Sequence, residues 1–123
     1  MLNHVTIGVT DLDRAIKFYD SLLGVIGGEN LFTTKGMKMY GTSPDLSKLA
    51  ICLPFNEEPQ HPGNGTMVAI KGGSNEGVDR LYFKAIGLGA TDEGGPGERR
   101  HHNQFYAAYV RDLDGNKISF IHV

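Results

Sequence analysis

The 123-residue sequence contains one cysteine, no tryptophan and no excess of positive charge. Because Cys52 has no partner, the chain cannot form an internal disulfide or a cysteine-rich zinc site. Twelve basic and fourteen acidic residues give a formal net charge of −2, so we expect no nucleic-acid partner. No apolar run approaches the roughly 20 residues that a membrane span requires, so we expect no membrane partner either.

The N-terminal segment MLNHVTIGV lacks the basic start, apolar middle and cleavage site of a signal peptide. We therefore expect a cytoplasmic location. The residue in excess is glycine, with 17 copies, which is about twice the usual share. This composition predicts a compact chain with many tight turns.

Two segments carry the same strand–helix pattern. Residues 4–9 (HVTIGV) alternate as a strand does, and apolar residues at helical spacing follow from Ala15 to Leu23. A shift of 63 residues brings this pattern onto the second half of the chain without a gap. We interpret the match as an internal duplication and expect Gly24 and Gly87 to be left-handed caps at the helix ends.

Further strand-like runs follow each predicted helix. They are residues 38–41, 49–53, 105–111 and 117–123. The Asp-Gly pair in DLDGN indicates a hairpin between the last two runs, with Gly115 left-handed and Tyr109 opposite Ser119.

Two other segments have the composition of loops. Residues 54–65 contain three prolines and two glycines, which predicts a linker. It divides a single domain of residues 1–123 into one module of about residues 1–55 and another of residues 66–123. Residues 89–103 are rich in glycine and predict a long loop that could serve as a lid.

The segments HVTIGVTDLDRAIKFYDSLLG and FYAAYVRDLDGNKISFIHV resemble the vicinal oxygen chelate superfamily, which includes glyoxalases, bleomycin-resistance proteins and ring-cleaving dioxygenases. The resemblance implies an α+β fold in which two βαβββ modules form a mixed sheet curled around a cleft. It also implies a homodimer. In the metal-dependent members, a divalent ion (Ni, Zn, Fe or Mn) lies in this cleft and is held by the first and last strands of each module.

Carried over to this sequence, the metal-ligand positions are His4, Met67, Ser119 and, by a less certain alignment, Ala50. His4 is the only one that carries a usual ligand for these ions. A thioether and a neutral hydroxyl are poor replacements for imidazole and carboxylate. We therefore expect the metal site to be degenerate.

Strand alternation predicts which side chains face the cleft. By this alternation, residues 5, 7 and 9 face the helix. The predicted ligand-binding residues that face the cleft are His4, Met67, Tyr109 and Ser119. His102, beside His101 in the glycine-rich loop, could cover the cleft and act as an acid or base. The alternatives are plain core packing for Met67 and a solvated surface position for His102.

Two main functions remain open. The first is binding of a small, partly apolar molecule without a stable metal, as in antibiotic-sequestering members of the superfamily. The second is a metal-dependent, glyoxalase-like lyase of the lactoylglutathione lyase type, or a dioxygenase, whose metal uses other ligands. A metal-free enzyme is a third possibility, and the sequence does not name the ligand.

Overall fold

The computed structural model describes residues 1–43, 47–100 and 105–123. The first module consists of β1 (His4–Gly8), α1 (Leu12–Gly24), β2 (Glu29–Thr33), β3 (Met37–Gly41) and β4 (Lys48–Cys52). The second consists of β5 (Val68–Lys71), α2 (Asn75–Gly87), β6 (Thr91–Arg99), β7 (Phe105–Arg111) and β8 (Lys117–His122). Both modules are βαβββ units, which confirms the α+β fold predicted from the sequence. In these ranges, no helix is long and apolar enough to cross a membrane.

The strands form two separate four-stranded sheets. The first has the order β1-β4-β3-β2 and the second the order β5-β8-β7-β6. The first and last strands of each module are parallel, while the other neighbours are antiparallel. The two modules therefore share one topology, and β1 and β5 each form an outer edge of their sheet.

The two helices bury the faces that the sequence predicts. Asp11 caps the start of α1 by accepting a hydrogen bond from the backbone N–H of Arg14 at 3.1 Å. Ser74 does the same for Gly77 at the start of α2. The buried residues of α1 are Ala15, Phe18, Tyr19, Leu22 and Leu23. The buried set of α2 includes Val78, Leu81, Tyr82 and Ala85, and one apolar core contains residues of both modules.

The prediction of left-handed caps at Gly24 and Gly87 is wrong. The positive φ angles lie further along the chain, at Gly27 (+74°) and Gly89 (+105°). In the first module, residues 25–27 form turns after the end of α1, and Val25 and Ile26 pack against the core. Burial of these apolar residues therefore moves the chain reversal beyond the end of the helix.

The prediction of a long loop at residues 89–103 is wrong for most of this segment. Residues Thr91–Arg99 form strand β6, which pairs with β7. β2 was also not predicted. Both strands lie at an outer edge of their sheet, and all five residues of β2 are exposed. Without burial of one face, these strands lack the alternation that marks a strand.

The hairpin between β7 and β8 is confirmed. Tyr109 lies opposite Ser119, and Arg111 lies opposite Lys117. Gly115 has a φ of +85°, and the backbone N–H of Asp112 donates to the carbonyl oxygen of Asn116 at 2.9 Å. This register determines which side chains of the second sheet share a face.

Candidate functional site

Each sheet has a face that its helix covers and an opposite face, which we call the open face. On the second sheet, Tyr109 and Ser119 are cross-strand neighbours on the open face, and Ala69 of β5 lies opposite Ser119 on its other side. Met67 precedes β5 by one residue and, by strand alternation, faces the same way as Ala69. Three of the predicted ligand-binding residues, Met67, Tyr109 and Ser119, are thus grouped on one face.

His4 lies on the first sheet, at the start of β1. Its side chain is exposed, and its Nδ1 lies 2.7 Å from Oδ1 of the adjacent Asn3. None of the hydrogen bonds of the described residues joins His4 to Met67 or Ser119. The role of His4 as a metal ligand stays a prediction. His102 lies outside the described residues.

The positions where the resemblance places metal ligands carry few of the donor atoms that divalent metals prefer. They comprise one imidazole (His4), one thioether (Met67) and one hydroxyl (Ser119), and Ala50 has no donor atom in its side chain. Cys52 lies two residues further along β4, but burial raises the pKa of its thiol, which disfavours the thiolate that binds metals. Across the described parts of the chain, no three His, Cys, Asp or Glu side chains come together as a metal site.

Two cavities lie where the modules meet. The larger, of about 470 Å³, is bounded by the end of α1, by β3 and β4, and by β5. Its wall is mainly apolar and includes Leu23, Tyr40, Leu49 and Met67. The smaller, of about 210 Å³, lies between the end of β1, the start of β5 and the linker at His61. Of the predicted site residues that the structure describes, Met67 alone borders either cavity.

Sequence reasoning missed two positively charged residues beside Tyr109. Cζ of Arg99 lies 5.4 Å from the centroid of the Tyr109 ring, and Nζ of Lys117 lies 5.6 Å from it. Lys117 could have been found from the hairpin register, since it lies two residues from Ser119 on the same face. Arg99 could not, because its position depends on β6, whose glycine-rich sequence predicts a loop.

Comparisons with known proteins agree with this architecture. A model of the Glyoxalase/Bleomycin resistance protein/Dioxygenase superfamily matches residues 1–120. A lactoylglutathione lyase of Haemophilus influenzae is 33% identical over an alignment of 129 residues, which covers 96% of this chain and 89% of that protein. A crystal structure of a glyoxalase/bleomycin resistance protein from Albidiferax ferrireducens is 36% identical and has a TM-score of 0.92, covering 100% of this chain and 99% of that one.

A lactoylglutathione lyase structure from Agrobacterium tumefaciens, 21% identical, shares the fold with a TM-score of 0.68 over 98% of this chain and 92% of its own. The superfamily model and the Haemophilus relative each cover nearly the whole chain. The chain therefore belongs to the glyoxalase/bleomycin resistance protein/dioxygenase superfamily.

Proposed function

We propose that this protein binds a small, partly apolar molecule at the open face of its second sheet and the adjoining cavity, without a tightly held divalent metal. The observation that carries the proposal is the pair Met67 and Ser119. They occupy two places where metal-dependent relatives are expected to have a histidine and a glutamate. A thioether and a hydroxyl at these places favour contact with an organic ligand over coordination of a hard or borderline metal ion.

The larger cavity supports an apolar ligand. Its volume of about 470 Å³ lies in the range of roughly 300–1,000 Å³ that is usual for small-molecule sites. Apolar side chains make up most of its wall, and Thr66 and Lys48 supply polar groups. Such a lining binds an apolar body through burial and orients it through a few polar contacts.

A neutral apolar dye tests the binding site. We expect Nile red to bind this protein saturably with increased fluorescence, and Met67→Asp to weaken this binding several-fold, because a carboxylate would enter the apolar wall. Phe83→Asp is the control, since Phe83 is exposed on α2 and does not line the cavity. Equal weakening by both substitutions would contradict a specific site.

Metal content tests the other half of the proposal. Protein purified without chelators or a histidine tag should contain far less than one Ni, Zn, Fe or Mn per chain. His4→Ala should leave both this content and the thermal midpoint in the presence of added metal unchanged. Stoichiometric metal that His4→Ala removes would contradict the proposal.

The alternative is a metal-dependent lyase, favoured by the 33% identity to the Haemophilus influenzae protein named lactoylglutathione lyase. It predicts that methylglyoxal and glutathione are converted to lactoylglutathione when Ni, Zn, Fe or Mn is added. Such turnover, abolished by His4→Ala, would replace the binding proposal with this one.

We also propose that the protein is a homodimer. Its accessible surface of 7490 Å² exceeds the roughly 6,500 Å² expected for a compact monomer of this mass. Several large apolar side chains are exposed in the first module, among them Leu31, Phe32, Leu53 and Phe55. Light scattering should give twice the chain mass, and Phe32→Glu should reduce it to that of one chain; a monomeric wild-type protein would contradict this proposal.

A further inference from the structure

Two positively charged side chains lie against a single aromatic ring on the open face of the second sheet. Arg99 and Lys117 both lie within the range of about 6 Å in which a cation is attracted to the face of a ring. Arg99 lies on β6, Tyr109 on β7 and Lys117 on β8, and β7 is the middle one of these three neighbouring strands. The arrangement therefore depends on the tertiary pairing of all three strands.

Neither cation pairs with an acidic side chain among the described residues. Arg99 bonds to backbone carbonyl oxygens of its own strand, including that of Gly95 at 2.7 Å from Nη2. By contrast, Arg111 on the same face pairs with Glu93 at 2.9 Å. Because no acidic side chain of the described residues neutralises either charge, binding of an anion beside them would be favourable.

Glycines of β6 make room for Arg99. A Cβ atom at Gly97 would lie 3.0 Å from Nη1 of Arg99, and one at Gly94 would lie 3.2 Å from Cδ2 of Tyr109. In their absence, the side chain of Arg99 reaches back along β6 to the ring, and the carbonyl oxygen of Gly95 holds its Nη2. The guanidinium group is therefore positioned before a ligand binds, which reduces the entropy lost on binding.

We propose that Arg99 and Lys117 bind the oxyanion of a small organic acid, either a carboxylate or a phosphate. Arginine suits such a group because it can donate two parallel hydrogen bonds, and lysine adds a compact charge. The inference rests on the proposed function, because the anion site adjoins Ser119 and Ala69 on the same face. The acidic group binds at Tyr109, and the apolar body of the ligand extends towards Met67.

Benzoate and its neutral isostere benzamide test the need for negative charge, with binding followed by NMR titration of backbone amides. We expect benzoate to bind about tenfold more tightly than benzamide and to shift the amides of β7 and β8. Phenyl phosphate, titrated in parallel, distinguishes a phosphate site from a carboxylate site. The same spectra show whether each variant is folded.

Five variants test the location of the site. Arg99→Gln and Lys117→Met should each weaken benzoate binding about tenfold, and Lys117→Arg should retain it. Gly97→Ala should also weaken it, because the new methyl group displaces the guanidinium without changing the net charge. Lys84→Gln, on the solvent side of α2, removes the same charge and should have no effect.

Equal affinity for benzoate and benzamide, or benzoate binding that survives both Arg99→Gln and Lys117→Met, would overturn the anion site. So would the failure of both benzoate and phenyl phosphate to bind. The proposed function is judged separately by metal content and Nile red binding. Nile red binding without charge preference would leave the small-molecule function in place and remove only the anion site.

Discussion

The hydroxyl of Tyr19, on α1 of the first module, donates a hydrogen bond to Oδ2 of Asp112 at the end of β7, with the oxygen atoms 2.5 Å apart. Both side chains are buried. Asp112 also accepts from the backbone N–H groups of Asp114 and Asn116 and from the side chain of Asn116. Asn116 in turn donates to the carbonyl oxygen of Gly8, so this buried carboxylate links the two modules.

We expect Tyr19→Phe to lower the free energy of unfolding by about 1.5 kcal/mol, because it removes a buried hydrogen bond to a charged group. This loss of stability should be at the lower end of the range for hydrogen bonds to charged groups, because Asp112 still accepts hydrogen bonds from three other donors. Urea unfolding followed by circular dichroism measures the change. Tyr82→Phe is the control: Tyr82 corresponds to Tyr19 by the 63-residue shift, but it donates to Asp92, which is exposed. Equal losses for the two variants would contradict the importance of burial.

Stability should fall at alkaline pH. Burial, together with the negative charge and hydrogen bond of Asp112, raises the pKa of Tyr19 well above its ordinary value of about 10. Below this pH the phenol is protonated in the folded and unfolded chains alike. Above it, the unfolded chain releases the proton while the folded chain retains it, so the unfolded state gains stability.

The free energy of unfolding should therefore decrease as the pH rises above about 10, and less steeply in Tyr19→Phe. Tyr40 contributes in the same direction, because burial and its hydrogen bond to Asp20 raise its pKa. Urea titrations at several pH values measure both slopes. An unchanged slope in Tyr19→Phe would show that its phenol is not held protonated by the fold.

Gly24 and Gly27, at and just beyond the end of α1, allow the effect of a left-handed backbone to be tested at two similar positions. A Cβ atom at either position would meet nothing within 4 Å, but only Gly27 has a positive φ, of +74°. Gly27→Ala should destabilise the protein by about 1 kcal/mol because of the left-handed backbone. Gly24→Ala should stabilise it by up to about 1 kcal/mol, because alanine restricts the unfolded chain and favours the helix. Thermal unfolding of the two variants decides whether the left-handed residue is Gly27.

Sequence patterns predicted the parts of the fold that are amphipathic or that reverse in a tight turn. The five buried residues of α1 were all expected, because their helical spacing is visible in one short window. The register of Tyr109 with Ser119 followed from Asp-Gly and the length of the hairpin. These features depend on local geometry, so a single sequence contains the information.

The features that the sequence did not reveal depend on contacts between distant segments. β6 contains three glycines and a proline, and only its pairing with β7 makes it a strand. The position of Arg99 beside Tyr109 follows from that pairing. The same holds for Tyr19 and Asp112, which lie 93 residues apart in the chain. No local pattern predicts these two contacts.

The expected ligand geometry of the second module can be tested by restoring metal-binding side chains. Met67 and Ser119 face the same way, because Ala69 lies opposite Ser119 and Met67 is two residues from Ala69. Neighbouring strands lie about 4.8 Å apart and two residues rise about 6.6 Å along a strand, so the two positions lie roughly 8 Å apart, a distance that imidazole and carboxylate side chains can bridge through one ion. Met67→His combined with Ser119→Glu should therefore gain affinity for Zn or Ni.

Calorimetric titration with Zn measures this gain. Ser119 is only 1% exposed, so the glutamate itself should reduce stability, and circular dichroism must confirm that the double variant folds. Met67→His alone is the safer variant, because Met67 is 46% exposed, and it should gain affinity with His4 as a second imidazole if the first strands of the two modules serve one site. If neither variant binds Zn more tightly than the wild-type protein, Met67 does not occupy the position of a metal ligand. A gain in the double variant but not in Met67→His would place Met67 and Ser119 in one site that excludes His4 of the same chain.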